Sequence, residues 1–274
     1  MYQCPECHLK FSRRDNMIRH LKHRHQLDRS YFLVPPPPSP APPLPPSPPL
    51  PQRSKVVLQH LFSLMAIGPT FSGKSCWMNK LLTRAKTMIN PPPERIRWCY
   101  KRWQPLFSEM QSTIKNILFM QGLPENLNDD SFIDTRYPSL IVIDDLMRDA
   151  TNSKDVCELF VEGSHHRNIS VACILQNGFS KGKENRTMSV NTQYIVLFKN
   201  PRDQIGPAIL ARQMYPNNPK KFMIKYTETT KRPYGYLFID LKQNTTEEER
   251  LKIDIFNDHT TDTSSLNGRP YHRY

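Results

Sequence analysis

Two groups of residues in this chain have the types and the spacing to do chemistry. Gly68-Pro69-Thr70-Phe71-Ser72-Gly73-Lys74-Ser75 satisfies G-x-x-x-x-G-K-[ST]. In that spacing two glycines let the backbone wrap closely around an anion, while a lysine and a hydroxyl meet a polyphosphate and its magnesium. The amides of residues 70–75 are expected to point inward at a helix N-terminus, whose partial positive charge adds attraction. Lys74 is then assigned to the β- and γ-phosphates of ATP, and the Ser75 hydroxyl to Mg2+. The second group is Cys4, Cys7, His20 and His25, with spacing C-x2-C-x12-H-x4-H. A thiolate pair on a tight turn facing an imidazole pair on one helix face is the donor set of tetrahedral Zn2+. His23 is an open alternative to His25.

The phosphate site needs an acid and a sensor. The apolar run Leu140-Ile141-Val142-Ile143 ends in Asp144 and Asp145. A carboxylate at such a strand tip can hold the magnesium shell opposite Ser75, which assigns Asp144 to the metal. Asp145 is assigned to orient the attacking water, and its short side chain leaves the identity of the base open. A third run, Val171-Ala-Cys-Ile-Leu175, leads straight into Gln176 and Asn177. Gln176 is therefore the candidate sensor of the γ-phosphate or its water.

These residues need strand tips and a helix to carry them. The loop follows the run Phe62 to Ile67 and precedes Trp77, Met78, Leu81, Leu82, Ala85 and Ile89, which are apolar at helical spacing. Further runs at Ile96–Tyr100, Asn116–Met120 and Tyr194–Phe198 alternate with helical segments. The pattern predicts an α/β fold, a mostly parallel sheet flanked by helices. Some 65 residues with two strand-like runs separate loop from acidic strand, so these two strands are not expected to be neighbours. Phe222–Tyr226 and Gly235–Ile239 read as an antiparallel hairpin, and the polar chain from residue 246 to 274 as a disordered tail.

Composition sets the outer bounds. The chain has 274 residues, a formal charge of +13, and 26 prolines against 9 glycines. Twelve of those prolines fall in the seventeen residues 35–51, where fixed φ and missing donors exclude helix and sheet. Such a segment is a polyproline II strut spanning about 50 Å; its P-x-x-P registers also suit proline-binding domains. It separates a metal module, residues 1–34, from a catalytic-sized domain, residues 55–245, with residues 35–54 as linker. Cys76, Cys99, Cys157 and Cys173 lie in apolar segments and are read as buried, reduced thiols, and Trp77, Trp98 and Trp103 as core. His8, His165 and His166 are given surface or packing roles. No stretch reaches the 18–20 apolar residues of a membrane span, and the N-terminus has no secretory pattern. Excess positive charge suits a polyanionic partner.

Residues 1–25 resemble the classical two-cysteine, two-histidine zinc fingers, small ββα modules with Phe11 and Met17 at the two core positions. The resemblance places base-facing residues at Arg13, Asn16 and Arg19. Seven basic residues against three acids in residues 1–34 suit phosphate contact, and a protein-binding finger stays open, since one finger covers only about 3 base pairs. Residues 55 to about 240 resemble the genome-packaging ATPases of large DNA viruses and of Polinton (Maverick) transposons, a branch of the FtsK and HerA motors with a RecA/FtsK-like P-loop core. The segments that carry this are GPTFSGKS, IRWCYKRWQPLF, SLIVIDDLM, LFVEGSHHRNISVACILQN and FKNPRDQIGPAILARQMYP. The resemblance implies a homo-oligomeric ring drawing double-stranded DNA into a capsid. It also implies an arginine completing the neighbour's site, with Arg167, Arg202 and then Arg212 as candidates. A capsid or portal partner and a nuclear or virion-associated location follow as expectations. A helicase or transposition factor on the same core, and a non-enzymatic DNA-binding protein, are the alternatives.

Overall fold

The computed structural model describes residues 1–26, 56–124, 127, 134–146, 154–163, 167–178 and 183–256. The chain divides into two compact units, Met1–Arg53 and Ser54–Tyr274. The proline-rich linker, residues 35–54, lies outside the described residues, as do His165 and His166 and the chain beyond 256. Among the described residues no helix is long and apolar enough to cross a membrane.

In the first unit, β1 (Tyr2–Gln3) pairs antiparallel with β2 (Lys10–Phe11) and is followed by α1 (Arg14–Arg24). Cys4, Met17 and Leu21 are buried, with Phe11 packed against them. A core of that size cannot hold a module of some 25 residues without a staple.

The second unit begins with β3 (Leu58–Gln59) and β4 (Ser63–Ile67), then α2 (Lys74–Thr83) and α3 (Ala85–Met88). Next come β5 (Ile89–Asn90), which pairs with β3, and β6 (Arg95–Tyr100), α4 (Pro105–Thr113), β7 (Ile117–Gln121) and β8 (Ser139–Asp144). A short α5 (Lys154–Glu158) continues as a π-helical turn (Leu159–Gly163) and leads to β9 (Ile169–Leu175), α6 (Lys183–Asn191) and β10 (Tyr194–Phe198). The chain ends with α7 (Ile205–Met214), α8 (Pro219–Thr229), β11 (Tyr236–Asp240) and β12 (Leu251–Ile253).

Eight strands form one sheet in the order β12-β11-β10-β4-β9-β8-β6-β7. The six from β10 to β7 are parallel, and β11 and β12 run antiparallel at one edge. Every residue of β4, β8, β9 and β10 is buried, because both faces of the sheet are covered. That is why these strands read as unbroken apolar runs rather than alternations. Trp77, Met78 and Leu81 of α2 and Phe107 and Met110 of α4 pack on one face; Leu210 of α7, Phe222 and Tyr226 of α8 and Val156 of α5 pack on the other. The mostly parallel sheet flanked by helices is the predicted fold class.

Four expectations are corrected. Phe222–Tyr226 is helix, not strand: Pro219 occupies the first turn, the Asn218 side chain accepts from the Lys221 amide, and Phe222 and Tyr226 turn inward one helical turn apart. The Gly235–Ile239 strand pairs with β10 instead of with that segment. The chain past 246 stays in the fold, since Leu251–Ile253 pairs with β11 and Phe256 is buried against the rings of Trp77 and Tyr236. Finally, Trp103 is 48% exposed and Cys76 is exposed too, whereas Trp77, Trp98, Cys99 and Cys173 are buried.

Candidate nucleotide and metal sites

The phosphate loop leaves β4 at Ile67 and is tied to the next strand, the Gly68 amide donating to the Leu175 carbonyl at 3.1 Å. A Cβ on Gly68 would meet Phe198 Cβ at 2.7 Å and Ser72 Oγ at 2.8 Å, so only glycine fits there. Gly73 has φ +95°, a left-handed turn that glycine adopts without steric cost. It caps α2 with no side-chain hydrogen bond, which leaves the amides of the first helical turn directed at whatever enters the loop. Lys74 is buried and its ammonium donates to the carbonyls of Gly68 and Pro69, both at 2.8 Å. Burial lowers its pKa, and the carboxylates of Asp144 and Asp145 oppose that effect. The Ser72 hydroxyl is buried without a hydrogen-bond partner. Pro69, Thr70 and Phe71 complete the turn, with Phe71 at φ +64° and 93% exposed.

The sheet brings the acidic tip to this loop although 68 residues separate Ser75 from Asp144 in the chain. The loop strand β4 and the acidic strand β8 are not neighbours, as expected, but the strand between them is the later β9, while β6 and β7, which separate them in sequence, lie beyond β8. Asp144 is 3% exposed and accepts from the Ser75 hydroxyl at 3.2 Å. Burial pushes its carboxyl up to about 6, against the pull of the Ser75 hydrogen bond and the Lys74 charge. Adjacent ligands in a magnesium octahedron are about 3 Å apart. The Ser75–Asp144 separation therefore fits Mg2+ held by these two oxygens. Asp145 turns away at φ +56°, is exposed, and accepts from Gln176 Nε2 at 3.1 Å. The register pairs Asp144 with Ile174, so Asp145 and Gln176 leave neighbouring strand tips on the same edge of the sheet.

The three arginines fall in different places. Arg202 follows β10 on the edge that carries the loop and is exposed; Arg212 is exposed on α7. Arg167 precedes β9, at the opposite end of the strand from Gln176. None of the three makes a described contact with Lys74, Asp144 or Asp145.

In the first unit the donor atoms of Cys4, Cys7, His20 and His25 all lie within 4.8 Å of one another. Cys7 Sγ is 3.1 Å from His20 Nε2, and His25 Nε2 is buried with no hydrogen-bond partner. Two sulfurs and two imidazole nitrogens at that separation fit tetrahedral zinc with bonds of about 2.0–2.3 Å. The structure brings His25 rather than the exposed His23 to the cysteines. Asn16 and Arg19 are exposed on α1 and Arg13 at its N-cap.

Sequence reasoning missed the third wall of the site. A cleft of about 330 Å3 opens beside the loop, between Phe71 and Ser72 on one side and Lys199 and the turn 230–235 on the other. The turn is some 160 residues from the loop in sequence and carries no recognisable motif; only the antiparallel pairing of β11 with β10 delivers it there.

A parallel sheet with a phosphate loop at one strand tip and carboxylates at another defines a P-loop α/β nucleotide-binding architecture. No protein-family profile and no curated protein matches the sequence. Among solved structures the chain is similar to the genome-packaging NTPase B204 of Sulfolobus turreted icosahedral virus 2 in complex with AMP, at 12% identity and TM-score 0.48 over 70% of this chain and 96% of that one. It is also similar to the flagellar accessory protein FlaH of Methanocaldococcus jannaschii, at 13% identity and TM-score 0.37 over 53% and 76%. A third is the Legionella pneumophila ATPase DotB, at 11% identity and TM-score 0.31 over 62% and 53%.

Proposed function

We propose that the larger unit hydrolyses ATP with Mg2+ and uses the energy to move double-stranded DNA, packaging a viral or Polinton-type transposon genome into a capsid. The observation that carries the ATPase reading is the hydrogen bond from Ser75 to the buried Asp144, beside a lysine already inside the loop. Loop amides and Lys74 would bind the β- and γ-phosphates, and the unpartnered Ser72 hydroxyl offers one more donor. Ser75 and Asp144 would hold Mg2+, which supplies charge neutralisation at the phosphates. Gln176 fixes one oxygen of Asp145, leaving the other to orient water and accept its proton.

DNA as the moving partner rests on the resemblance of the quoted segments to packaging motors and on the charge of +13. The ring, its trans-acting arginine and a capsid or portal partner rest on the same resemblance. In this reading the first unit is a zinc finger in which Arg13 at the N-cap of α1 and Asn16 and Arg19 on it contact DNA, and the work is done in a host nucleus or at the virion.

The test is ATP hydrolysis and solution mass, each with and without duplex DNA, beside a strand-separation assay. The expected result is hydrolysis stimulated by intact duplex, a ring-sized mass, and loss of turnover by at least about 100-fold in Lys74→Ala. Unchanged hydrolysis in that variant would overturn the site; strand separation would favour a helicase on the same core.

A further inference from the structure

The cleft beside the phosphate loop carries two exposed aromatic rings and, among the described residues, no acid. Phe71 is 93% exposed and Tyr234 70%, and both have left-handed φ, at +64° and +56°. Such backbone is costly for bulky residues and persists where surrounding structure holds it. Tyr234 lies against the residue that precedes the phosphate-binding lysine: a Cβ on Gly73 would come within 3.3 Å of Tyr234 Cδ1. The remaining polar lining is cationic or hydroxylic, from Lys199, Lys231, Arg232, Ser72 and Thr230. Arg232 is paired with Asp254 at 3.1 Å. The volume, about 330 Å3, is at the lower end of small-molecule sites.

Resting on the nucleotide reading of the loop, we propose that this cleft holds the nucleobase, with Tyr234 stacked on the ring and Phe71 at the rim. The base is held by its π-face. Among the described residues no side-chain carboxylate or carboxamide lines the cleft to receive the N1–H and amino donors of guanine or to read the edge of adenine. The cations only donate; N7 serves both purines, and O6 of guanine beside it adds an acceptor where adenine has a donor. A stacking site of this composition does not exclude either purine, so the protein accepts both ATP and GTP, with any preference favouring GTP and staying below about 100-fold.

The experiment is equilibrium binding of ATP, GTP and inorganic tripolyphosphate to the full chain and to Tyr234→Ala, Tyr234→Phe, Phe71→Ala and Lys74→Ala. Tyr234→Ala is expected to weaken both nucleotides about tenfold and leave tripolyphosphate unchanged, and Tyr234→Phe to restore them. Phe71→Ala, which removes a ring too exposed to support the fold, should weaken both nucleotides by a few-fold. Equal loss of tripolyphosphate in Tyr234→Ala would make the tyrosine a support for the loop and overturn the assignment. Unchanged nucleotide binding in both ring variants, or a preference above about 100-fold for one purine, would overturn it as well. Lys74→Ala separates the two levels: if it fails to weaken tripolyphosphate, the phosphate loop reading falls first and the base site with it.

Discussion

Asp144 and Asp145 are neighbours in sequence and opposites in environment. Asp144 is buried, its carboxyl pushed up to about 6 by that burial, and it accepts a hydrogen bond from Ser75. Asp145 faces outward with one oxygen held by Gln176. A buried carboxylate whose charge is stabilised by a hydroxyl and an ammonium suits a metal; an exposed one oriented by an amide suits water. Asp145→Asn is therefore expected to lower kcat about 100-fold with ATP affinity held, since the change leaves Lys74, Ser75 and Asp144 in place. Steady-state kinetics beside direct ATP binding reads both; a wild-type kcat would move the base elsewhere. This part of the site was legible in the sequence because eight consecutive residues and two strand tips each carry their own signal. Tyr234 and Lys199 were not, because their meaning depends on which strand pairs with β10.

At the scale of elements, signal strength follows burial. β4, β8, β9 and β10 are enclosed on both faces and could be placed within two residues at either end, whereas α8 was misread since K-F-M-I-K-Y fits period 2 as well as period 3.6. The tail was misread because three strand residues and one phenylalanine are too few to show a pattern, although Phe256 also meets the charged groups of Lys80 and Arg84 over its ring. A junction at the far end of the sheet was silent in the sequence for another reason: it joins residues 108 apart or more. The Phe62 amide donates to buried Ser170 Oγ, which is 2.6 Å from His60 Nδ1, and His60 Nε2 is 3.0 Å from Asn168 Oδ1. With Ser170 donating to Nδ1, His60 is neutral, and burial lowers its pKa from 6.5 despite the Asn168 bonds. The unfolded chain then takes up the proton first. Stability from this group is complete above about pH 6.5 and is lost as pH falls, by at most about 1.4 kcal/mol per pH unit. Asp144, raised in the fold, works in the opposite sense, its stabilisation being lost as pH rises toward about 6. Urea midpoints of wild type and His60→Gln at pH 5.5 and 7.5 separate the two: the variant should lose less on acidification, and an equal loss would remove His60 from the account.

Across the whole molecule, the arginine that completes a ring is a question of which surface faces the next subunit. In a head-to-tail interface the surface that meets a neighbour's site is not the one that carries the subunit's own. Arg202 lies on the loop-bearing edge of the sheet, while Arg167 is about 30 Å from Gln176 along β9, at a strand rise near 3.3 Å per residue. In the proposed ring, Arg167 would then act on a neighbour and Arg202 near its own nucleotide. Mixing inactive variants distinguishes these roles. A Lys74→Ala subunit has a dead site but an intact Arg167, so in mixed rings with Arg167→Ala it should restore hydrolysis at the Arg167→Ala sites that it adjoins, about a quarter of all sites at equal proportions. Arg202→Ala with Lys74→Ala should stay inactive, because neither subunit then holds a complete set of cis residues. Rescue of Arg202→Ala with no rescue of Arg167→Ala would reverse the assignment and place the loop-bearing edge against the next subunit.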